Sequence, residues 1–346
     1  MSNAADNDAV AGGRPALDDL FWLAPQREQL RDARAHGRLP AALLIRDLPG
    51  GGGGALALIA AQAALCREPA APCGRCATCL KVEEGRHPDL WRVGPEGDSR
   101  QIRVDQIREL TDTLALTGYS SGASVAILDP AEALNANAAN ALLKTLEEPR
   151  SGVLLVLVAS LASRLPATIV SRCQRLTVRP PARQDCLDWL HRHGGGRGGQ
   201  GGWEAVLDVL GPAPLQALGV SPDELQQLRQ ETGDMLDRAL AGRLDCAAAA
   251  ERWSRQAFEL RMACAENWVT ERLLRRLGVA GNATEARPHG KPGVLDSGPS
   301  ANGLVRWADA LRELANLAQT GVNRALGVEQ LLWQLVALGQ AGVGQA

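Results

Sequence analysis

Two stretches of this sequence bring together residue types that can do chemistry. The first is "LPGGGGGALALIAAQAALC", Leu48 to Cys66, in which five consecutive glycines follow an apolar run, Ala41 to Ile45, and precede an Ala/Leu-rich helical pattern. Strand, glycine loop and helix in that order frame a phosphate-binding P-loop, which ends in Lys and then Ser or Thr to meet the phosphates and the magnesium. Here those places hold glycine. The second half of such a site is an apolar strand ending in Asp, often followed by a Glu that activates the attacking water. "SVAILDP" supplies the strand and Asp129, but Pro130 follows, and a proline cannot act as a general base.

The second stretch is "CREPAAPCGRCATC", with Cys66, Cys73, Cys76 and Cys79. Two overlapping C-x-x-C steps place three thiols on one tight turn, and Cys66 can close a tetrahedron from the end of the preceding helix. That spacing suits a structural zinc, which favours closed four-coordinate sulfur sites. The alternative is a redox pair with Cys66 as a buried residue. Cys173, Cys186, Cys246 and Cys264 are scattered and read as small buried side chains.

The elements that must position these residues follow from the hydrophobic pattern. Apolar runs at 41–45, 89–93, 124–129 and 153–160 alternate with helical patterns at 25–36, 54–66, 103–117 and 135–148, which predicts a parallel sheet with crossover helices. Pro180-Pro181 ends this block. A helix-like "ARQDCLDWLHRH" follows, then "GGGRGGQGG", whose seven glycines in nine residues (194–202) cannot hold a packed element, then "WEAVLDVL". From Ser221 the pattern is all helical. "SPDE" is a capping box with Ser221 as N-cap, Pro222 at N1 and Glu224 at N3. Amphipathic stretches are expected at about 222–242, 246–277 and 302–318, and "GVEQLLWQLVAL" closes the chain. The spacing of Trp253, Leu260, Trp268 and Leu273, and of Leu304, Trp307, Leu311 and Leu314, fits a bundle core or a helix-mediated oligomer interface. The Gly/Pro/Ser-rich 283–303 reads as a mobile loop.

At 346 residues with 45% apolar content, the chain is long enough for two or three domains with real cores. A net charge of −2 gives no global attraction to nucleic acid or acidic membranes, so any such contact needs a local patch. Only three of the 37 basic residues are lysines, Lys81, Lys144 and Lys291. No run of eighteen apolar residues occurs and the opening "MSNAADNDAV" lacks the regions of a signal peptide, so a cytoplasmic location is expected.

"NALLKTLEEP" (Asn140 to Pro149) followed by "RLPATIVSRCQRL" (Arg164 to Leu176) resembles the clamp-loader branch of the AAA+ ATPases. "GRHPDL" (Gly85 to Leu90), "IRVDQIREL" (Ile102 to Leu110) and the cysteines after the P-loop helix are similar to the bacterial subunits of that branch. The resemblance runs from about Ala41 to Cys173, and "NRALGVEQLLWQL" matches the family's collar domain more loosely. It implies an AAA+-like α/β P-loop sheet with a zinc-binding insertion (domain 1–179, zinc module 66–79), a small helical lid (180–220) and an all-α collar (221–346).

Within the branch the chain resembles the delta-prime type rather than the motor type. On that alignment Gly52 takes the last P-loop glycine, Gly53 and Gly54 replace the Lys and the Ser/Thr, and Pro130 replaces the catalytic Glu. The resemblance therefore implies no ATP bound or hydrolysed by this chain, and no enzyme activity outside a DNA polymerase holoenzyme. The "SRC" motif implies that Arg172, between Ser171 and Cys173, is an arginine finger for a neighbour's ATP site. The implied partners are a motor subunit of the gamma/tau type and a delta subunit in a hetero-pentamer, the sliding clamp, and primed DNA.

Lys144, Glu147 and Glu148 are candidates for inter-subunit or DNA-backbone contact. Arg103 and Arg108 are candidates for primer-template phosphates, and His87 is expected to pack or cap a turn. Two other readings stay open: an active ATPase of the same fold with an unorthodox P-loop, and a zinc-stabilised DNA-binding module. Against the latter stand the near-neutral charge and the lack of a basic stripe.

Overall fold

The computed structural model describes residues 15–97, 99–115, 122–160, 164–197, 199, 201–278, 299–318 and 322–343. The chain's opening and most of 283–303 therefore lie outside the described residues. The chain divides into two units, residues 1–199 with 212–219 and residues 200–211 with 220–346.

The first unit is a five-stranded, wholly parallel sheet. Its strands are β1 (Ala42–Arg46), β2 (Leu90–Val93), β3 (Ser124–Leu128), β4 (Val153–Ala159) and β5 (Gln174–Thr177), in the order β2-β3-β4-β1-β5. The near-continuous apolar runs of β1, β3 and β4 are what burial on both faces requires. On one face lies α2 (Gly53–Leu65), which is apolar all round and almost wholly buried, packed between the sheet and α1 (Ala24–Ala35) and α3 (Ala77–Glu83). On the other lie α4 (Val104–Ala115) and α5 (Ala136–Glu147). Ile107, Leu110, Leu142 and Leu146 meet the alternate strand residues Leu44, Ala126, Leu128, Leu155 and Leu157 there. Asn135 starts α5 by accepting the Ala138 N–H on its side-chain oxygen at 2.8 Å.

The expected strands and helices stand within one or two residues of the observed ones, but β5 was not among them. Only Leu176 of its four residues is buried, so it carries no apolar run. A four-residue helix, α6 (Ala167–Val170), leads into it, and α7 (Arg183–His193) follows it.

The second unit is helical. After α8 (Gly202–Leu210) come α10 (Pro222–Leu240), α11 (Cys246–Arg255), α12 (Phe258–Arg276), α13 (Ala301–Leu317) and α14 (Arg324–Val343). The Ser221 hydroxyl accepts the Glu224 N–H at 3.5 Å, the first half of the expected capping box. Trp253 and Trp307 are buried in the core with Leu304, Leu311 and Leu314, and the Trp307 indole donates to the Leu331 carbonyl at 2.9 Å.

The stretch 246–277 is not one helix. Gln256 is extended and Ala257 is left-handed with φ 49°, so the chain breaks and restarts at Phe258. The break lets α11 pack on α14 while α12 packs on α10 and α13. It also rotates Leu260 to a half-buried place, and Phe258 and Met262 enter the core instead.

The segment expected to form a lid, 180–220, is shared between the units: α7 and α9 (Pro214–Leu218) belong to the first and α8 to the second. Among the described residues no helix is long and apolar enough to cross a membrane. Asn135→Ala removes the side-chain cap of α5 and is expected to lower the stability of the first unit by about 1 kcal/mol. Urea denaturation checks this, and an unchanged midpoint would contradict the capping role.

Candidate functional site

The glycine loop leaves the carboxyl end of β1, where the chain runs to the distant β2, returns through β3 and β4, and crosses to β5 on the other side. Such a switch point is where open α/β sheets hold ligands. Backbone N–H groups at the start of α2 should there face a phosphate. Instead the Asp47 carboxylate turns back into the loop and accepts the N–H of Gly53. A negative charge at this helix terminus is favoured by the N–H groups that have no partner within the helix and by the helix dipole.

The loop is shaped around that carboxylate. A Cβ at Gly53 would stand 2.8 Å from the Asp47 side chain and 2.9 Å from Val158 Cγ1, and one at Gly51 would stand 2.1 Å from Asp47 Oδ1. A side chain therefore does not fit at position 53 without displacing Asp47. Gly52 caps the helix at φ 111°, a conformation that L side chains rarely adopt.

The rest of the loop is covered from within the same unit. The Trp22 indole donates to the Gly51 carbonyl at 2.6 Å, and Leu23 packs beside Gly52. From α9, the Leu215 N–H donates to the Gly50 carbonyl at 3.2 Å, and Gln216 Cβ lies where a Gly50 side chain would point. Gly51, Gly52 and Gly53 are buried. Asp129 faces the same helix start, its carboxylate 3.2 Å from where a Gly54 Cβ would stand. Asp47, Trp22 and Gln216 were missed in the sequence. An Asp immediately after the strand, six residues before the helix start, was the one available signal.

Cys66, Cys73, Cys76 and Cys79 come together with all four sulfurs within 4.8 Å of one another. The Cys66–Cys73, Cys66–Cys76 and Cys73–Cys79 separations are 3.7, 3.8 and 3.8 Å. A tetrahedron with metal–sulfur bonds of about 2.3 Å has edges of about 3.8 Å, so the four residues fit a structural zinc. Cys66 ends α2 and Cys76 caps α3, whose Cys79 carbonyl accepts from Gln62 at 3.0 Å. The module is thereby fastened to the P-loop helix. Burial pushes the Cys66 and Cys79 thiols up. At Cys73 burial is outweighed by the backbone N–H groups of Arg75 and Cys76 and by neighbouring thiols, which bring it down to about 7. His87 stays outside the cluster. It is buried, accepts the Asp89 N–H on Nδ1 at 3.1 Å, and is held below its ordinary range by burial.

Arg172 follows α6 and precedes β5, and its side chain is 36% exposed. One guanidinium nitrogen donates to the Thr168 carbonyl at 2.9 Å, and another pairs with Glu147 at 2.7 Å. Ser171 is exposed and donates to the same carbonyl at 3.2 Å, while Cys173 is buried, its thiol raised to about 11 by burial. Gln174 pairs in register with Leu43 and Thr177 with Arg46. Arg172 therefore stands at the amino edge of the sheet and the glycine loop at the carboxyl edge, roughly 15 Å away along the strands. The structure does not bring these two together.

Lys144 and Glu148 line a cleft between α4 and α5 with Thr111, Thr145 and Arg150. Arg103 and Arg108 are exposed on α4 or its start and pair with Glu96 at 3.8 Å and Asp105 at 3.4 Å.

Burial pushes the Asp47 carboxyl from 3.8 up to about 6, against the pull of the Gly53, Leu48 and Gly52 N–H groups. Between those values the folded chain binds more protons than the unfolded one, so this group's contribution falls as pH rises through that window and is level above it. Asp47→Asn, which cannot ionise, is expected to remove that slope. Thermal melts of both proteins across roughly pH 4 to 8 check it, and parallel profiles would show that Asp47 does not titrate in the loop.

The "DNA polymerase III, delta subunit" family model matches residues 24–182. The DNA polymerase III subunit delta' of Pseudomonas aeruginosa is 36% identical over 241 residues, 69% of this chain and 72% of that one. The subunit delta' of Escherichia coli is 39% identical over 173 residues, with 49% and 52% covered, so the match spans about half of that protein. The DNA polymerase III subunit gamma of Buchnera aphidicola (Acyrthosiphon pisum) is 34% identical over 139 residues, with 40% and 38% covered. With 36% identity over 72% of the Pseudomonas aeruginosa subunit, the chain belongs to the DNA polymerase III subunit delta' family.

Proposed function

We propose that this chain is a non-hydrolysing delta-prime subunit of a bacterial, cytoplasmic clamp loader. It supplies Arg172 to the ATP site of a neighbouring gamma/tau-type motor subunit, so that the sliding clamp is loaded on primed DNA. The observation that carries the reading is the Asp47 carboxylate on the Gly53 N–H, in the seat a phosphate would take. Position 53, where the resemblance places the P-loop Lys, has no room for a Cβ beside Asp47 and Val158. Without that Lys the phosphates lose a cation, without a hydroxyl at Gly54 the magnesium loses a ligand, and Pro130 offers no base.

Arg172 stands at the sheet edge opposite its own loop, which favours action on a neighbour. A finger supplied in trans stabilises charge on the transferred phosphoryl group and is worth ~10³ to 10⁵ in rate. The sequence similarity to a gamma subunit supports a shared fold for finger donor and motor. A hetero-pentamer with a delta subunit needs a helical surface for assembly, and α14 offers one: Leu326 and Trp333 are 63% and 56% exposed on its outer face. Zinc at Cys66, Cys73, Cys76 and Cys79 would hold the insertion against α2 and carry no step of the reaction.

Reconstitution with the motor subunit, clamp and primed DNA tests the finger. Arg172→Ala is expected to slow stimulated turnover strongly at the site it faces, to a residual rate, and unchanged ATPase would overturn the assignment. Metal analysis of the purified chain is expected to find about one zinc per chain. Cys73→Ser with Cys76→Ser should lose the metal and lower the melting temperature. A metal-free chain with an unaltered melt would refute the zinc site.

A further inference from the structure

The helix before Arg172, α6, has only four residues, too short to set a side-chain direction by itself. Its backbone is pinned by Ile169 and Cys173, both buried in the core that includes Leu142 and Leu146 of α5. The guanidinium is held at two points. The Thr168 carbonyl belongs to α6 and moves with it, whereas Glu147 reaches across from α5. Glu147 is the last residue of α5, next to the buried Leu146, on a helix capped by Asn135. A negative charge at a helix C-terminus is unfavourable for the helix itself, so helix stability does not account for it.

We infer that Glu147 is a positioning residue for Arg172, aiming the guanidinium from the rigid α5 toward the neighbouring subunit. This rests on the finger reading above. A guanidinium has five N–H groups, so one pair with a carboxylate and one with a carbonyl leave it able to meet a phosphate. The pair is half-exposed and weak in itself, so it orients Arg172 without trapping it.

The test is steady-state ATP hydrolysis by the reconstituted complex, with motor subunit, clamp and primed DNA, carrying Glu147→Ala, Glu147→Gln, Arg172→Ala or the Glu147→Ala/Arg172→Ala pair. Glu147→Ala is expected to lower kcat about two- to fivefold, the range open to an exposed ion pair, with KM for ATP unchanged. Glu147→Gln, which keeps an acceptor oxygen, should restore most of the rate. Glu147→Ala should cost nothing further in the Arg172→Ala background, because its effect runs through that side chain. Wild-type kcat in Glu147→Ala beside a slow Arg172→Ala overturns the positioning role and leaves the finger intact. An equal loss from Glu147→Ala in both backgrounds assigns Glu147 to the fold and also overturns it. Unchanged turnover in Arg172→Ala removes the finger reading itself.

Discussion

The contact between the Asp47 carboxylate and the Gly53 N–H is the constraint on which the rest of this site depends. A helix that starts at a glycine loop leaves N–H groups that need an anion, and P-loop proteins meet that need with a phosphate. Here the chain meets it with its own side chain, six residues upstream. The choice propagates outward. Gly51 and Gly53 must lack a Cβ for the carboxylate to fit, and Trp22, Leu23 and α9 close over the loop. In the proposed reading, a nucleotide-binding frame thus becomes a packed joint between β1 and α2.

The two edges of the same sheet differ. Its carboxyl edge is closed, and its amino edge displays Arg172, held by Thr168 and Glu147 above a core of Ile169, Cys173 and Leu142. The zinc-type module is fastened to α2 through Cys66, Gln62 and Cys79, so it stiffens the helix whose N-terminus Asp47 caps. In the proposed assembly such a subunit is a fixed body, against which a motor subunit that binds and releases ATP can change state.

Much of this was legible in the sequence where residue type and spacing carry the physics. β1, β3 and β4 announced themselves as apolar runs, and the four thiols by their C-x-x-C steps. β5 was silent because only Leu176 is buried. The break between α11 and α12 was silent too, since two amphipathic helices in similar phase read as one and Ala257 carries no left-handed signature. The absence of Lys and Ser/Thr after the glycines was plain, but its reason was not. Asp47 looks like any residue after a strand until the loop folds back on it. Glu147 was visible as a charge on a helix, and only the packing of α6 on α5 shows what it faces.

The central claim is that the chain's own carboxylate occupies the phosphate seat. Calorimetric titration of the isolated, zinc-replete chain with ATP and magnesium measures it directly. The expected result is no saturable heat and no hydrolysis. Stoichiometric, magnesium-dependent binding would contradict it, because a triphosphate can enter that loop only if Asp47 leaves.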